Sequence, residues 1–383
     1  MNRTSTKPIL LLCRSLLAAS IFWFASSQVF AEGIVFGQIG PFTKLPVPDA
    51  SEVNQGIKAY MLQANKVGIK GQKITLFDAD DQYSAEGFLE QFPKAIAKKP
   101  LALISPIGSA AIKRMLDDKL LDTAPVVVMN AVPGAESLRT PGHAKLFHIR
   151  AGDKQQIEKI VNHTRTLGMT RLSALYQDLP IGTSGMAMAQ EAAKAKEGLA
   201  LQGTKSAANA AALDAAAQLV AKQDAQGVLV LGAPRFMAEG IAALRKAGLK
   251  QSIFVLSYVP AGLIVKLAGV EGARGVGIAQ TYPNPNGKTL PLHREFQSAM
   301  KEAFPAVRDY TSFHLEGYLS ARTVGEAIKR GKEAHPSAAS LAATLTSMGE
   351  IDFGGFRVDF SKGNVGSRFV DIAVIGSDGR LLY

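Results

Sequence analysis

From Gly33 onward the apolar positions follow two alternating periods. Short apolar runs stand at 34–39, 73–77, 102–105, 126–129, 172–176, 227–231, 253–256 and 275–279. Between most of them, apolar residues recur every three or four positions, the spacing of one helix face. The pattern predicts a long helix before Asn65-Lys66-Val67-Gly68, a second after Asp81, and others over 109–121, 154–167, 184–196, 207–221, 236–247, 290–304 and 312–330. The Ala-rich stretch 207–221 keeps Leu213, Ala216, Ala217 and Val220 at helical spacing, so it reads as an ordinary amphipathic helix. Alternating strands and helices imply parallel sheets covered on both faces, an α/β class. Two such sets are expected, roughly 34–147 and 148–280. The remainder carries helices and a β-like tail over 353–383, with turns at Gly354-Gly355 and Asp378-Gly379, and no third sheet.

The first 31 residues follow a different logic. Arg3, Lys7 and Arg14 are their only charges, the apolar run 15–24 follows, and Val29-Phe30-Ala31 closes the segment with small residues at cleavage spacing. The expectation is a secretory leader cut after Ala31 and a periplasmic mature chain. The alternative, an uncleaved anchor, is disfavoured because spanning a bilayer takes about 20 apolar residues. Cys13 is the only cysteine and lies in the leader. A disulfide framework, a Cys-ligated metal and a thiol nucleophile are therefore not expected in the mature chain.

Charge and motifs narrow the function classes. The leader holds three of the 43 basic residues and none of the 32 acidic ones, which leaves a mature charge of +8. The basic residues are spread along helices without interleaved aromatics, so no nucleic-acid partner is expected. No phosphate loop, Gly-x-Gly-x-x-Gly or Gly-x-Ser-x-Gly elbow occurs. The six histidines, at 143, 148, 163, 293, 314 and 335, share no helix-face ligand spacing. Asp78, Asp80 and Asp81 could offer oxygens to a hard cation, but lack the fourth acid and glycine of a calcium loop. No enzyme activity, cofactor or metal is expected.

The candidate chemistry lies at the carboxyl ends of strands, where open parallel sheets bind ligands. Ser105-Pro106-Ile107-Gly108-Ser109 leads into a helix whose first residues are Ser109 and Ala110. Free N–H groups there and the Ser109 hydroxyl form a seat for a carboxylate. Ser109 also reads as the helix N-cap, a role compatible with the favoured ligand contact.

The order of segments resembles the periplasmic solute-binding proteins of the branched-chain amino acid (Leu/Ile/Val-binding) type, the receptors of ABC importers. The resemblance rests on Gly33–Thr43, Asn65–Gln72, Ala247-Gly248-Leu249-Lys250, Gly275-Val276-Gly277, Glu316-Gly317-Tyr318 and Gly354–Phe360, in that order over the mature chain. It implies a type I periplasmic binding protein: two Rossmann-like lobes joined by three crossovers near Ile149-Arg150, Gln280-Thr281-Tyr282 and Gly349-Glu350-Ile351. Lobe 1 would then be 32–148 plus 281–350, and lobe 2 would be 149–280 plus 351–383. It further implies a small organic solute held between the lobes, delivery to an ABC permease, and no catalysis; sensing on behalf of a receptor is the rival role.

The resemblance also assigns loops. Phe42 falls in the first binding loop, as ligand wall or as rim aromatic. Asn130, Ala131 and Val132 open the second, with Gly134 where amino-acid binders carry a Thr. Ile181 stands where they place a Tyr, and Tyr258 where they place the acid that pairs with the ligand ammonium. Arg235 starts a helix in another ligand loop, and Tyr282 lies at the second crossover. With both ammonium partners replaced and the carboxylate seat kept, the implied ligand is a carboxylate, such as an aromatic acid, or another small organic molecule without an α-amino group; branched-chain amino acid binding proper is the alternative.

Overall fold

The computed structural model describes Met1, residues 33–44 and residues 49–383; the expected leader and Cys13 lie outside the described residues. The chain opens with β1 (Ile34–Gly40), α1 (Asp49–Val67), β2 (Ile74–Asp80), α2 (Ala85–Ile96), β3 (Ala102–Ile104), α3 (Ser109–Asp117), α4 (Leu120–Thr123), β4 (Val127–Met129) and β5 (Leu146–Phe147). These strands form a parallel sheet in the order β2-β1-β3-β4-β5. Next come α5 (Asp153–Thr166), β6 (Arg171–Gln177), α6 (Pro180–Lys194), β7 (Ala200–Ser206), α7 (Ala210–Ala221), β8 (Gly227–Leu231), α8 (Pro234–Lys246), β9 (Ser252–Val255), α9 (Ala261–Ala273) and β10 (Gly277–Gln280). The chain closes with α10 (Pro291–Ala303), α11 (Ser312–Arg330), α12 (Ala338–Ser347), β11 (Ile351–Asp352), β12 (Arg357–Val358), β13 (Asp371–Ile375) and β14 (Leu381–Leu382). The second sheet runs β14-β13-β10-β9-β8-β6-β7, parallel except for β13 and β14.

Strand alternation sends successive side chains to opposite faces. In the first lobe Ile104, Val127 and Met129 join one core with α1, α10, α11 and α12, while Leu103 and Val128 join the opposite core with Phe88, Ile112 and Met115. In the second lobe Leu229, Phe254 and Ile278 pack with Phe236, Ile241 and Leu244.

The tail divides between the two lobes. Phe353, Phe356, Val358 and Phe360 pack in the first core, whereas β13 and β14 extend the second sheet. The sequence reading placed everything after 350 in the second lobe. The difference comes from the β11–β12 hairpin, where Gly354 and Gly355, both at positive φ, make a tight turn against Pro291 and Leu292 of α10.

Other departures have local causes. The expected helix 109–121 is two helices, broken at Lys119, which adopts φ 55. Strand β7 carries no apolar period in the sequence, because its side chains are mostly exposed and polar. Helix α9 is rich in Gly and Ala and bends at Gly269, where φ is 72.

The helix pair α1 and α11 covers the first sheet in nearly direct backbone contact. A methyl at Gly56 would meet the His314 carbonyl, and one at Gly317 would meet the Val53 carbonyl. His314 also closes the first turn of α11. Its Nδ1 accepts the Thr311 N–H at 3.1 Å, and its Nε2 lies 2.9 Å from Gln55 Oε1. Burial pushes the imidazole down to about 4. The folded state thus resists a proton that the unfolded chain takes up near 6.5, so stability is complete above that pH and falls as pH drops toward 4. The loss is at most about 3 kcal/mol. Urea melts at pH 7 and pH 4.5 should show a smaller difference for His314→Gln than for the natural chain.

Candidate functional site

The loops that follow β1, β3 and β4 hold the candidate residues of the first lobe. Asp80, at the end of β2, accepts the Phe42 N–H at 2.9 Å and the Thr43 hydroxyl, which pins the loop after β1. Phe42 packs on Ala50, Ile107 and Val132, so three loops share one small apolar cluster. The Val132 N–H donates to the Pro106 carbonyl at 3.0 Å and ties the β3 and β4 loops together.

Ser109 and Ala110 are exposed at the start of α3. The expectation of Ser109 as N-cap is corrected: Gly108 occupies that place with φ 113, and Ser109 is the first helical residue. Because Gly108 has no side chain to cap the helix, the first turn keeps its N–H groups for another acceptor.

The three aspartates have separate duties. Asp78 meets Lys58 and Asn54, Asp80 holds the Phe42 loop, and Asp81 is buried, which pushes its carboxyl up to about 6. Among the described residues no group of three or more His, Cys, Asp or Glu is placed to hold a metal ion.

Asn130 is not a free ligand group. It is fully buried at φ 61, a left-handed conformation uncommon outside glycine. Its Nδ2 lies 3.1 Å from Tyr282 Oη, 2.9 Å from Glu316 Oε1 and 3.0 Å from Ser320 Oγ. Its Oδ1 accepts the N–H groups of Ile149 and Arg150. Ala131 is buried beside it. Tyr282 is equally buried, bonded to Glu316, with its ring tilted against that of Phe356 at 5.3 Å. Both residues brace the crossovers.

The carboxyl end of β9 reaches this bracing from the second lobe. Arg150 pairs with Glu316, donates to Ser257 Oγ at 2.6 Å, and lies 5.0 Å from the Tyr258 ring. The Tyr258 hydroxyl donates to Asp153. A Cβ at Gly134 would overlap both that hydroxyl and the Asp153 carboxylate. The position read as a missing Thr therefore has no room for a side chain. Arg139 fills the space behind, donating to the carbonyls of Gly134, Pro133 and Arg150. Burial pushes the Asp153 and Glu316 carboxyls up, against the pull of these partners.

The remaining candidates lie on the second lobe. Ile181 is half-buried in the first turn of α6. Arg235 is exposed and pairs with Glu239 at 2.7 Å, along a groove of about 980 Å³ between α7, α8 and α9. An arginine engaged with its own helix is not poised over the β9 loop. The buried set of Glu316, Asp153 and Ser257 was not picked out as site chemistry. Its signal was a charge inside an apolar stretch: Glu316 between Phe313, Leu315 and Leu319, and Arg150 just after Phe147 and Ile149.

Two lobes with mostly parallel sheets, joined through buried crossovers, set the frame for comparison. A family model described as periplasmic binding protein matches residues 33–380. The chain belongs to that family. An extracellular ligand-binding receptor from Verminephrobacter eiseniae ef01-2 is 68% identical, with a TM-score of 0.88 over 92% of this chain and 100% of that one. A substrate-binding periplasmic protein from Ralstonia solanacearum is 26% identical, with a TM-score of 0.81 over 91% and 99% of the two chains. A possible leucine/isoleucine/valine-binding protein from Rhodopirellula baltica SH 1 is 20% identical, with a TM-score of 0.79 over 94% and 98%. A comparison with curated proteins gave no match. The fold is the type I fold of branched-chain amino acid receptors, typical of ABC transporter substrate-binding components. Family and neighbours are solute-binding proteins rather than enzymes, and the family implies a periplasmic location. Among the described residues no helix is long and apolar enough to cross a membrane.

Proposed function

We propose that this periplasmic binding protein captures a small carboxylate-bearing solute with an apolar body between its lobes and delivers it to an ABC permease. The first lobe would comprise 33–148 and 281 to about 369, where Phe369 still packs on the first core, and the second lobe the rest. Val370 is the first tail residue against the second core. Export would be directed by residues 1–31, and closure of the two lobes would trap the solute.

One observation carries the ligand class: the Tyr258 hydroxyl and Asp153 close over Gly134. The acid near that loop is engaged by a phenol and neighbours the buried Arg139, so no free carboxylate waits there for an ammonium. The exposed first turn of α3 supports a carboxylate contact, with Ser109 and Ala110 as its donors. The apolar cluster of Phe42, Ile107 and Val132 supports an apolar body beside it.

A thermal-shift screen tests the reading. The panel is benzoate, phenylacetate, 4-methylpentanoate, succinate, leucine, isoleucine, valine and acetamide. A true ligand at a hundredfold excess over its Kd stabilises by about 2.7 kcal/mol. The expected hit is one of the apolar acids; stabilisation by acetamide alone speaks against a carboxylate seat.

A further inference from the structure

Arg150 stands between the two cores. Ile149 belongs to the first and Ile157, on α5, to the second. The Arg150 main chain is held on the first lobe, where its N–H donates to Asn130 Oδ1 and its carbonyl accepts from Arg139. Its guanidinium points in two directions. One arm pairs with Glu316 of α11, and the other donates to Ser257 Oγ at the end of β9, at 2.6 Å. The rings of Tyr258 and Phe313 lie 5.0 and 5.8 Å from it. The side chains of the Arg150–Glu316 pair are 1% and 0% exposed. Tyr282, at the second crossover, donates to the same Glu316 carboxylate at 3.2 Å.

These two contacts are unequal. A buried ion pair, once formed, is costly to break, because either partner alone is an uncompensated charge. The bond to the neutral Ser257 is a single charge-assisted hydrogen bond and far cheaper to exchange. Of these two contacts, the Ser257 bond is the one a rotation of the lobes would break first.

We infer that Ser257–Arg150–Glu316 is a latch that holds the resting angle between the lobes, with Ser257 as its releasable end. Ser257 and Arg150 are positioning residues: they set how readily the lobes move and need not touch the solute. The latch adds regulation to the proposed capture by closure, and rests on it. Ser257 directly precedes Tyr258, so release of the latch frees the loop that overlies Gly134.

The test needs no ligand. Fluorophores on cysteines introduced at exposed Lys113 and Lys205 of the mature chain report the lobe separation by single-molecule energy transfer. The natural latch gives one dominant population. Ser257→Ala keeps the ion pair and should lower the ratio of that population to all others about tenfold, equivalent to about 1.4 kcal/mol. Arg150→Lys keeps the charge but cannot serve two acceptors in a fixed fork, and should act in the same direction. Ser173→Ala, which removes a buried hydroxyl bonded to Gln223 within the second lobe, should leave the distribution unchanged. Cooperative melts for all variants establish that they are folded. Superimposable distributions for Ser257→Ala, Arg150→Lys and the parent overturn the latch. If an acid of the panel above then still shifts the parent distribution, closure stands without a latch; if none does, closure falls with it.

Discussion

Arg150→Met is expected to lower the unfolding free energy by about 3–5 kcal/mol, the usual cost of stranding one partner of a buried ion pair. The methionine fills most of the volume, so the loss is electrostatic rather than a cavity effect. Glu316 would remain fully buried, with only Asn130 and Tyr282 to hold its carboxylate. Burial already pushes that carboxyl up, and Arg150 opposes the shift. Without Arg150 the folded-state pKa rises further above the unfolded value, so the penalty grows as pH rises. Chemical denaturation should therefore show a larger deficit at pH 8 than at pH 5. Glu316→Gln added to Arg150→Met should recover much of the loss, because it removes the stranded charge and keeps an acceptor for Tyr282. A deficit below about 1 kcal/mol at both pH values contradicts the view of the pair as a buried, ionised bridge.

Leucine, isoleucine and valine should bind at millimolar levels or not at all. A buried ammonium without a paired charge or several acceptors costs several kcal/mol. About 4 kcal/mol is enough to turn a micromolar binder into a millimolar one. The acid near the β9 loop, Asp153, already accepts from Tyr258, and Gly134 leaves no place for a hydroxyl-bearing side chain. Recruiting Asp153 for an ammonium would require the Tyr258 hydroxyl, itself buried, to surrender its acceptor. The selectivity expected against amino acids would thus come from a tyrosine occupying space as much as from the lack of an unengaged acid.

Much of the architecture was legible in the sequence. The two periods of apolar residues mark where buried strands and half-buried helices must lie, and the strand ends carry the Gly, Pro and Asn that turn the chain. Elements without that contrast, such as the polar edge strand β7 and the Gly-rich α9, left no such mark. Where the tail divides was not legible, because Phe353 and Phe360 do not declare which sheet they cover and the resemblance implies the second lobe for both. The site was less legible still. Asn130 and Tyr282 sit at strand ends in the chain but turn inward to brace crossovers, and Arg235 folds back on Glu239. Hydrogen-bond partners distant by more than a hundred residues, such as Arg150 with Ser257 and Glu316, cannot be read from local spacing. Only the oddity of a charge in an apolar run hinted at them.

The measurement closest to the central claim is calorimetric titration of the purified protein with leucine and with the apolar acids of the panel, in one buffer at pH 7. Capture of a carboxylate without an α-amino group predicts micromolar or tighter binding of at least one acid and no heat from leucine below millimolar concentration. Submicromolar leucine binding, with no acid bound, would contradict it and show that the Tyr258–Asp153 contact over Gly134 does not exclude an ammonium.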